Sequence, residues 1–451
     1  MNAFNKNDPL LLFVGDIVFL FFSLWLMLLI RYGSGLTFKV FGDHFLPFGI
    51  LFVIWCIVFF IAGLYEKHTA LLQRNVPRII LNAQVANSII AITFFYFIPY
   101  FGITPKTNLF IYLVISFLAI LFWRMYGYKF TGARHKQNAL LVGSGAEVDE
   151  LYNEVNNNPR AAITITSRIN LDEAQVSFQQ DIAKRVDEEG ISVIIADLSD
   201  KHVEQLLPKL YTLIFSHVTF IDMYAVYEDV FNRIPLSLLT YGWFLEHISL
   251  SPKLTYDLLK RGMDIIVSAI LGVISLILYP FIILAIKIDD GGSVFIVQER
   301  IGKNGRIIHT RKFRTMQRNE MGLEMNLNKS TPNKVTRVGK FLRRTRLDEL
   351  PQLWAVVVGN MSLIGPRPEL PSGVERYERE IPYYNIRHLI KPGLSGWAQI
   401  YHDNHPHHTL GVDATKEKLS YDLYYLKNRS FILDVTIGLK TISKLLFPSG
   451  A

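Results

Sequence analysis

The chain has 451 residues, more than a single compact core normally holds, so several parts are expected. Half of it is apolar and only 19% is charged, a balance that points to a membrane rather than to an ordinary soluble domain. The net charge of +8 gathers late: from Lys287 onward 26 Lys and Arg stand against 16 Asp and Glu, which in a membrane-associated chain fits an anionic lipid surface or a phosphorylated substrate, and no nucleic-acid partner. The single cysteine, Cys56, excludes an intramolecular disulfide.

Four apolar stretches of spanning length come first, at Leu10 to Ile30, Phe45 to Leu64, Ile79 to Phe101 and Leu109 to Phe130. The first is too long for a signal-peptide core and lacks a small-residue cleavage site, so it reads as a retained helix. Lys67, Arg74 and Arg78 lie between the second and third stretches, and Arg124, Lys129, Arg134 and Lys136 follow the fourth. Only Arg31, Lys39 and Lys106 fall on the other side, so both ends of the bundle are expected in the cytoplasm.

A polar segment follows. Asn138-Ala-Leu-Leu-Val-Gly143-Ser-Gly145 is a short apolar run feeding a glycine turn, and the runs Ile191 to Asp197 and His217 to Asp222 alternate with helix-like stretches. This predicts a small parallel α/β sheet. The third glycine of a dinucleotide fingerprint is missing, because Glu147 and Val148 follow, so the turn reads as structural ahead of a cofactor site.

The fifth apolar run, Met263 to Ile288, has Pro280 inside it and basic residues at both ends. A proline there removes a backbone hydrogen bond and bends the helix. A spanning helix would carry the basic last third outside, against the charge rule; a helix that enters the cytoplasmic leaflet, bends at Pro280 and returns avoids this. An ordinary fifth span with a kink is the competing reading.

Three clusters carry candidate chemistry. Arg311-Lys312-Phe313-Arg314-Thr315 offers three cations and a hydroxyl suited to clamping a diphosphate, or a headgroup patch. In Arg346-Leu347-Asp348-Glu349-Leu350-Pro351-Gln352, the proline suggests a helix start, which puts both carboxylates at the positive end of a helix dipole and should keep both ionised. Such carboxylates attack phosphorus or bind Mg²⁺; the plainer alternative is a helix cap. In Gly365-Pro-Arg367-Pro-Glu369, flanking prolines stiffen an arginine for a phosphate. His402, His405, His407 and His408 fit no standard metal spacing and read as a polar loop. Phe431 to Phe447 places apolar residues at helical spacing around Lys440 and Lys444, as in an amphipathic helix on a membrane or a soluble core helix.

Lys260-Arg261-x-x-Asp264, Gln298-x-Arg300-x-Gly302, Lys312-Phe-Arg-Thr-Met316, Leu347-Asp-Glu-Leu-Pro-Gln-Leu353, Met361-Ser-Leu-Ile-Gly-Pro-Arg-Pro-Glu369 and Lys391-Pro-Gly-Leu-Ser-Gly396, in this order, closely resemble the bacterial sugar transferase family of monotopic phosphoglycosyl transferases. The resemblance covers residues 255 to 446 in detail, and the earlier segments look like the amino-terminal half of the family's large members.

The resemblance implies an α-helical membrane protein: a four-helix transmembrane bundle over 1–134, a small Rossmann-like α/β domain over 135–252, and a mostly helical catalytic domain over 253–451 with a re-entrant membrane helix at about 263–288. It implies transfer of a hexose 1-phosphate from a UDP-hexose to undecaprenyl phosphate, with Asp348 as nucleophile and Glu349 as its partner with Mg²⁺. Lys260, Arg261, Arg300, Lys312, Arg314, Arg367 and Glu369 are expected around the substrate phosphates, and membrane lipids around the helix bent at Pro280. A homodimer is left open. The chain departs from the family at Gly292-Ser-Val-Phe-Ile296 and at Tyr401-His-Asp-Asn-His405, the second a region that touches the sugar if the family pattern holds. Two other classes compete: a membrane-anchored sugar-nucleotide dehydratase, whose Tyr-Lys pair Tyr256-x-x-x-Lys260 mimics, and an inactive scaffold of a polysaccharide assembly.

Overall fold

The computed structural model describes residues 8–35, 37–65, 76–98, 105–131, 136–158, 161–170, 182–198, 200, 203–204, 208, 210–216, 218–248, 253–317, 335–401 and 411–446. The histidines from His402 to His408 lie outside them. The chain falls into two compact units, Met1–Leu238 and Leu239–Ala451.

In the first unit, helices α1 (Asp8–Tyr32), α2 (Phe38–Ile61), α3 (Val76–Phe97) and α4 (Pro105–Thr131) are each long and apolar enough to cross a membrane. Their core is aromatic: the Tyr112 ring lies 5.1 Å from Phe48 and 5.4 Å from Trp55. α1 and α4 are also joined by a buried ion pair between Asp16 and Arg124. Tyr65 donates its hydroxyl to Asp16 at 2.7 Å and Arg124 donates to the Leu64 carbonyl at 2.6 Å, so the buried charges are paired and hydrogen-bonded, as a low-dielectric site requires.

The same unit holds β1 (Gln137–Gly143), α5 (Ala146–Asn157), β2 (Ile163–Asn170), α6 (Lys184–Glu188), β3 (Val193–Ala196), β4 (Thr219–Asp222) and α7 (Met223–Phe231). The four strands form a parallel sheet in the order β2-β1-β3-β4. Ala139 and Leu141 enter one apolar cluster and Leu140 and Val142 another, so β1 is buried on both faces, which is why it reads as a continuous apolar run. β2 was not among the expected strands, although Ile163-Thr-Ile-Thr alternates at strand period.

The second unit begins with α8 (Tyr241–His247), then α9 (Leu254–Leu276) and α10 (Tyr279–Asp290), which meet at a bend of 56°. The break falls at Ile277 and Leu278, ahead of the expected Pro280, which sits in the first turn of α10. Lacking an N–H for the carbonyl four residues back, a proline is tolerated in a first turn and stops the helix before it. Ile277 and Leu278 accordingly make three-residue bonds, to Ile274 and Ser275. The outer face of the pair exposes Ile266, Ile270, Val273, Ile277, Phe281 and Ile288, while Asp264, Ser268, Gly272 and Ser275 form the buried face of α9.

Next come the hairpin β5 (Phe295–Ile301) and β6 (Ile307–Phe313), α11 (Arg337–Thr345), a 3-10 turn at Leu347–Glu349, and α12 (Gln352–Val358). They are followed by β7 (Ser362–Ile364), α13 (Pro371–Glu380), β8 (Gly393–Ser395), α14 (Trp397–Tyr401), α15 (Val412–Asn428) and α16 (Phe431–Leu446). α16 is amphipathic in an inverted sense. Asp434, Ile437 and Lys440 are buried, whereas Ile432, Val435, Ile442 and Leu445 are exposed. Lys440 points inward and donates to the Tyr401 hydroxyl.

Candidate active site

Asp348 and Glu349 reach their positions through two helix ends. Thr336 caps α11, its hydroxyl accepting from the Gly339 amide at 2.9 Å, and Gly339 presses on the Thr315 backbone, where any side chain would collide. α11 ends at Arg346, which is left-handed (φ 55°). The reversal there begins the 3-10 turn that carries the two carboxylates, and Pro351 then caps α12 as the sequence predicts.

The two neighbours are treated differently. Glu349 Oε1 accepts from Lys312 Nζ at 2.8 Å, reaching from β6, and from Arg367 at 2.5 Å. Burial pushes Glu349 upward, but Arg367 and Lys312 outweigh it and hold its carboxyl well below the usual range. Asp348 is only 9% exposed and accepts no hydrogen bond from the described residues. Burial raises its carboxyl above the usual Asp value and the charge of Glu349 adds to this, against weaker help from Lys312, Arg343 and Arg367. The cations that make hydrogen bonds here converge on one of the two carboxylates, Glu349.

Beside the pair is a small, partly open cleft lined by Arg300, Lys312 and Arg367 together with Thr310, Gln352, Pro368, Gly393 and Leu394. Burial lowers both Arg300 and Lys312 from their ordinary values, with Glu369 and Glu349 respectively opposing it. Arg300 is oriented by Gln298 Oε1 at 2.9 Å and by the Pro368 carbonyl at 3.3 Å. The Arg367 loop is held by pairing of β7 with β8, where Gly365 donates to the Ser395 carbonyl at 2.8 Å and Gly393 to that of Pro366 at 2.9 Å. A Cβ on Gly393 would strike the Gly365 backbone. The glycines at Gly365 and Gly393 thus serve close backbone approach.

Several expected phosphate ligands are engaged elsewhere. Lys260 donates to the Ile364 carbonyl at 3.0 Å and to Asp434 at 3.1 Å; Tyr256 donates to the same Asp434 oxygen at 3.0 Å. Arg261 donates to the carbonyls of Val356 and Val357, both at 2.8 Å, and so caps the C-terminus of α12. Arg314 pairs with Asp290. Each of these three cations thus bonds an acceptor inside the fold, as Lys312 and Arg367 do through Glu349. Glu369 lies 4.0 Å from Arg387, a residue the sequence reading missed. Arg387 is buried, pairs with Asp422 at 2.7 Å and donates to the Arg367 carbonyl at 3.0 Å, supporting the loop from behind.

Among the described residues no three His, Cys, Asp or Glu side chains gather as a metal site. Two adjacent carboxylates, one already tied to two cations, suit only a divalent ion whose remaining oxygens come from phosphates, the usual manner of Mg²⁺. With its cations converging on a small cleft and a carboxylate at the edge, the arrangement is suited to binding a diphosphate and attacking phosphorus.

Residues 255–448 match the family model described as bacterial sugar transferase. The chain is 42% identical over 207 residues to the UDP-N-acetylgalactosamine-undecaprenyl-phosphate N-acetylgalactosaminephosphotransferase of Aeromonas hydrophila, covering 45% of this chain and 47% of that one. It is 37% identical over 187 residues to the UDP-glucose:undecaprenyl-phosphate glucose-1-phosphate transferase of Escherichia coli K12, covering 42% and 40%. Against the protein of the same description from Caulobacter vibrioides, identity is 34% over 200 residues, covering 44% of this chain and 74% of the relative. The matches thus span about half or less of the first two relatives and most of the third.

Proposed function

Because the chain belongs to the bacterial sugar transferase family, we propose that it transfers a hexose 1-phosphate from a UDP-hexose to undecaprenyl phosphate, releasing UMP. The observation that carries this reading is the division of labour between neighbours: Glu349 is held by Lys312 and Arg367, while Asp348, beside the cationic cleft, accepts no hydrogen bond from the described residues. In the proposed reaction an Asp348 carboxylate oxygen bonds to the sugar-bearing phosphorus as the bond to UMP breaks. The lipid phosphate oxygen then attacks that phosphorus, breaking the aspartyl bond and restoring the carboxylate. Arg300, Lys312 and Arg367 neutralise the diphosphate, which this chemistry needs more than acid-base groups. Mg²⁺ belongs to the reading through Asp348, Glu349 and the donor's own phosphate oxygens, and supplies further charge neutralisation when bound.

The sharp bend between α9 and α10, with its exposed apolar outer face, supports a re-entrant helix rather than a fifth span. The outward apolar residues of α16 support contact with the same lipid surface. The basic residues flanking the bundle support a reading in which the protein lies in the bacterial inner membrane with its site facing the cytoplasm and acts at the first membrane step of surface polysaccharide synthesis. Against the dehydratase alternative stands the engagement of both Tyr256 and Lys260 with Asp434.

The test is UMP release by the purified protein with Mg²⁺ and undecaprenyl phosphate across a panel of UDP-hexoses, beside Asp348→Asn. Release with one donor, abolished in the variant, is expected. Turnover unaffected by the substitution, or none with any donor, would overturn the reading.

A further inference from the structure

Gln352 is the first residue of α12, one turn after Asp348, and only 4% of it is exposed. It lines the cationic cleft, and its Nε2 is fully buried with no hydrogen-bond partner among the described residues. A buried amide nitrogen without an acceptor is unfavourable and uncommon in folded proteins, so its acceptor is sought outside the chain. Of the side chains and carbonyls that line the cleft, Arg300, Lys312 and Arg367 are donors only, the Thr310 hydroxyl donates to the Gln298 carbonyl at 3.2 Å, and the Pro368 and Leu394 carbonyls accept from Arg300 at 3.3 Å and Gln399 at 3.5 Å.

We infer that Gln352 is a diphosphate-binding residue, its side-chain amide donating to a phosphate oxygen of the nucleotide-sugar. This rests on the transferase reading above and adds to it a residue whose role is directional. Three cations already supply charge, and a fourth would add repulsion among them. A neutral amide at a helix start contributes a fixed direction instead, so it selects one placement of the diphosphate beside Asp348. The expected ligand is an acceptor-rich diphosphate rather than a nucleoside alone.

The experiment measures UDP and uridine binding by calorimetry on the full chain in detergent or nanodiscs, alongside KM for the active UDP-hexose and the melting temperature. The variants are Gln352→Met, which keeps the volume and removes the donor, and Gln352→Glu, which adds negative charge. With Gln352→Met, UDP affinity should fall about 10- to 100-fold, the scale of a hydrogen bond to a charged group, with KM rising and the melting temperature unchanged or higher. Gln352→Glu should weaken UDP further, and uridine binding should not respond to either change. Unchanged UDP affinity and KM in Gln352→Met, with a lower melting temperature, would make the residue structural and overturn the inference alone. Absence of both UDP binding and UMP release in the wild type would overturn the transferase reading, and the inference with it.

Discussion

Glu349 and Arg367 are joined at 2.5 Å across a gap of 18 residues, and the oxygen that accepts from Arg367 also accepts from Lys312. Glu349→Gln would leave two largely buried cations without their counter-charge. Loss of one partner from a buried pair typically costs about 3 kcal/mol or more, so a clear fall in melting temperature is expected. The sign with pH follows from the lowered carboxyl of Glu349. Its stabilisation is full above the ordinary glutamate value and is lost only as pH falls through the lower folded value. Melting curves of wild type and variant should therefore stay apart well into the acid range; convergence near the ordinary value would contradict the ion-pair assignment.

Asp348 has the opposite sign. Its folded value is raised by burial and by Glu349, so the stability linked to it is full below the ordinary Asp value and is lost as pH rises through the folded value. At neutral pH its ionised form is a burden on the fold. Asp348→Asn should raise the melting temperature while abolishing UMP release, a trade between stability and activity that calorimetry and the assay separate. A lower melting temperature would show that Asp348 supports the fold. For the wild type, activity should fall on acidification with a midpoint above about 3.9, the ordinary Asp value.

Arg261→Ala should act on stability rather than on the donor. It removes two bonds to the last carbonyls of α12, so a loss of about 2 kcal/mol is expected, at the lower end for charged hydrogen bonds. KM for the UDP-hexose should change little. A tenfold rise in KM with an unaltered melting temperature would return Arg261 to the phosphate site.

Gly393→Ala should part β7 from β8, because the added methyl meets the Gly365 backbone and no side chain can move aside. Overpacking of this kind costs about 1–3 kcal/mol, and here it also displaces Arg367. UMP release should fall more than tenfold. Near-normal activity would mean that the Arg367 loop is set by Arg387 and the prolines alone.

What the sequence disclosed follows a physical division. The four long helices, β1 and the start of α12 were legible because apolar runs, a glycine turn and a proline are local signals. Asp348, Glu349, Lys312 and Arg367 stand out in the sequence as members of separate charged clusters, but their meeting is not written there. The partners of Lys260, Arg261 and Arg314 were not legible either, since the fold decides which acceptor a cation meets: Asp434 lies 174 residues from Lys260, and Arg261 meets bare carbonyls. β2 was overlooked because its alternation continues into the polar Ser167-Arg168, and Gln352 because a neutral side chain beside charged ones draws no notice until its missing partner is seen.

The bonds of Asp434 also bear on where this segment can be cut. Near one end Tyr256 and Lys260 belong to α9, and near the other Tyr425 and Asp434 belong to α15 and α16; Tyr425 donates to Asp434 at 2.7 Å while Lys260 and Tyr256 hold its other oxygen. A stretch of chain whose first and last helices are buttoned to each other does not need its neighbours to keep its ends in place. Shortening it by its final helix removes Asp434 and would undo the fastening at the membrane helix, far along the chain from the cut.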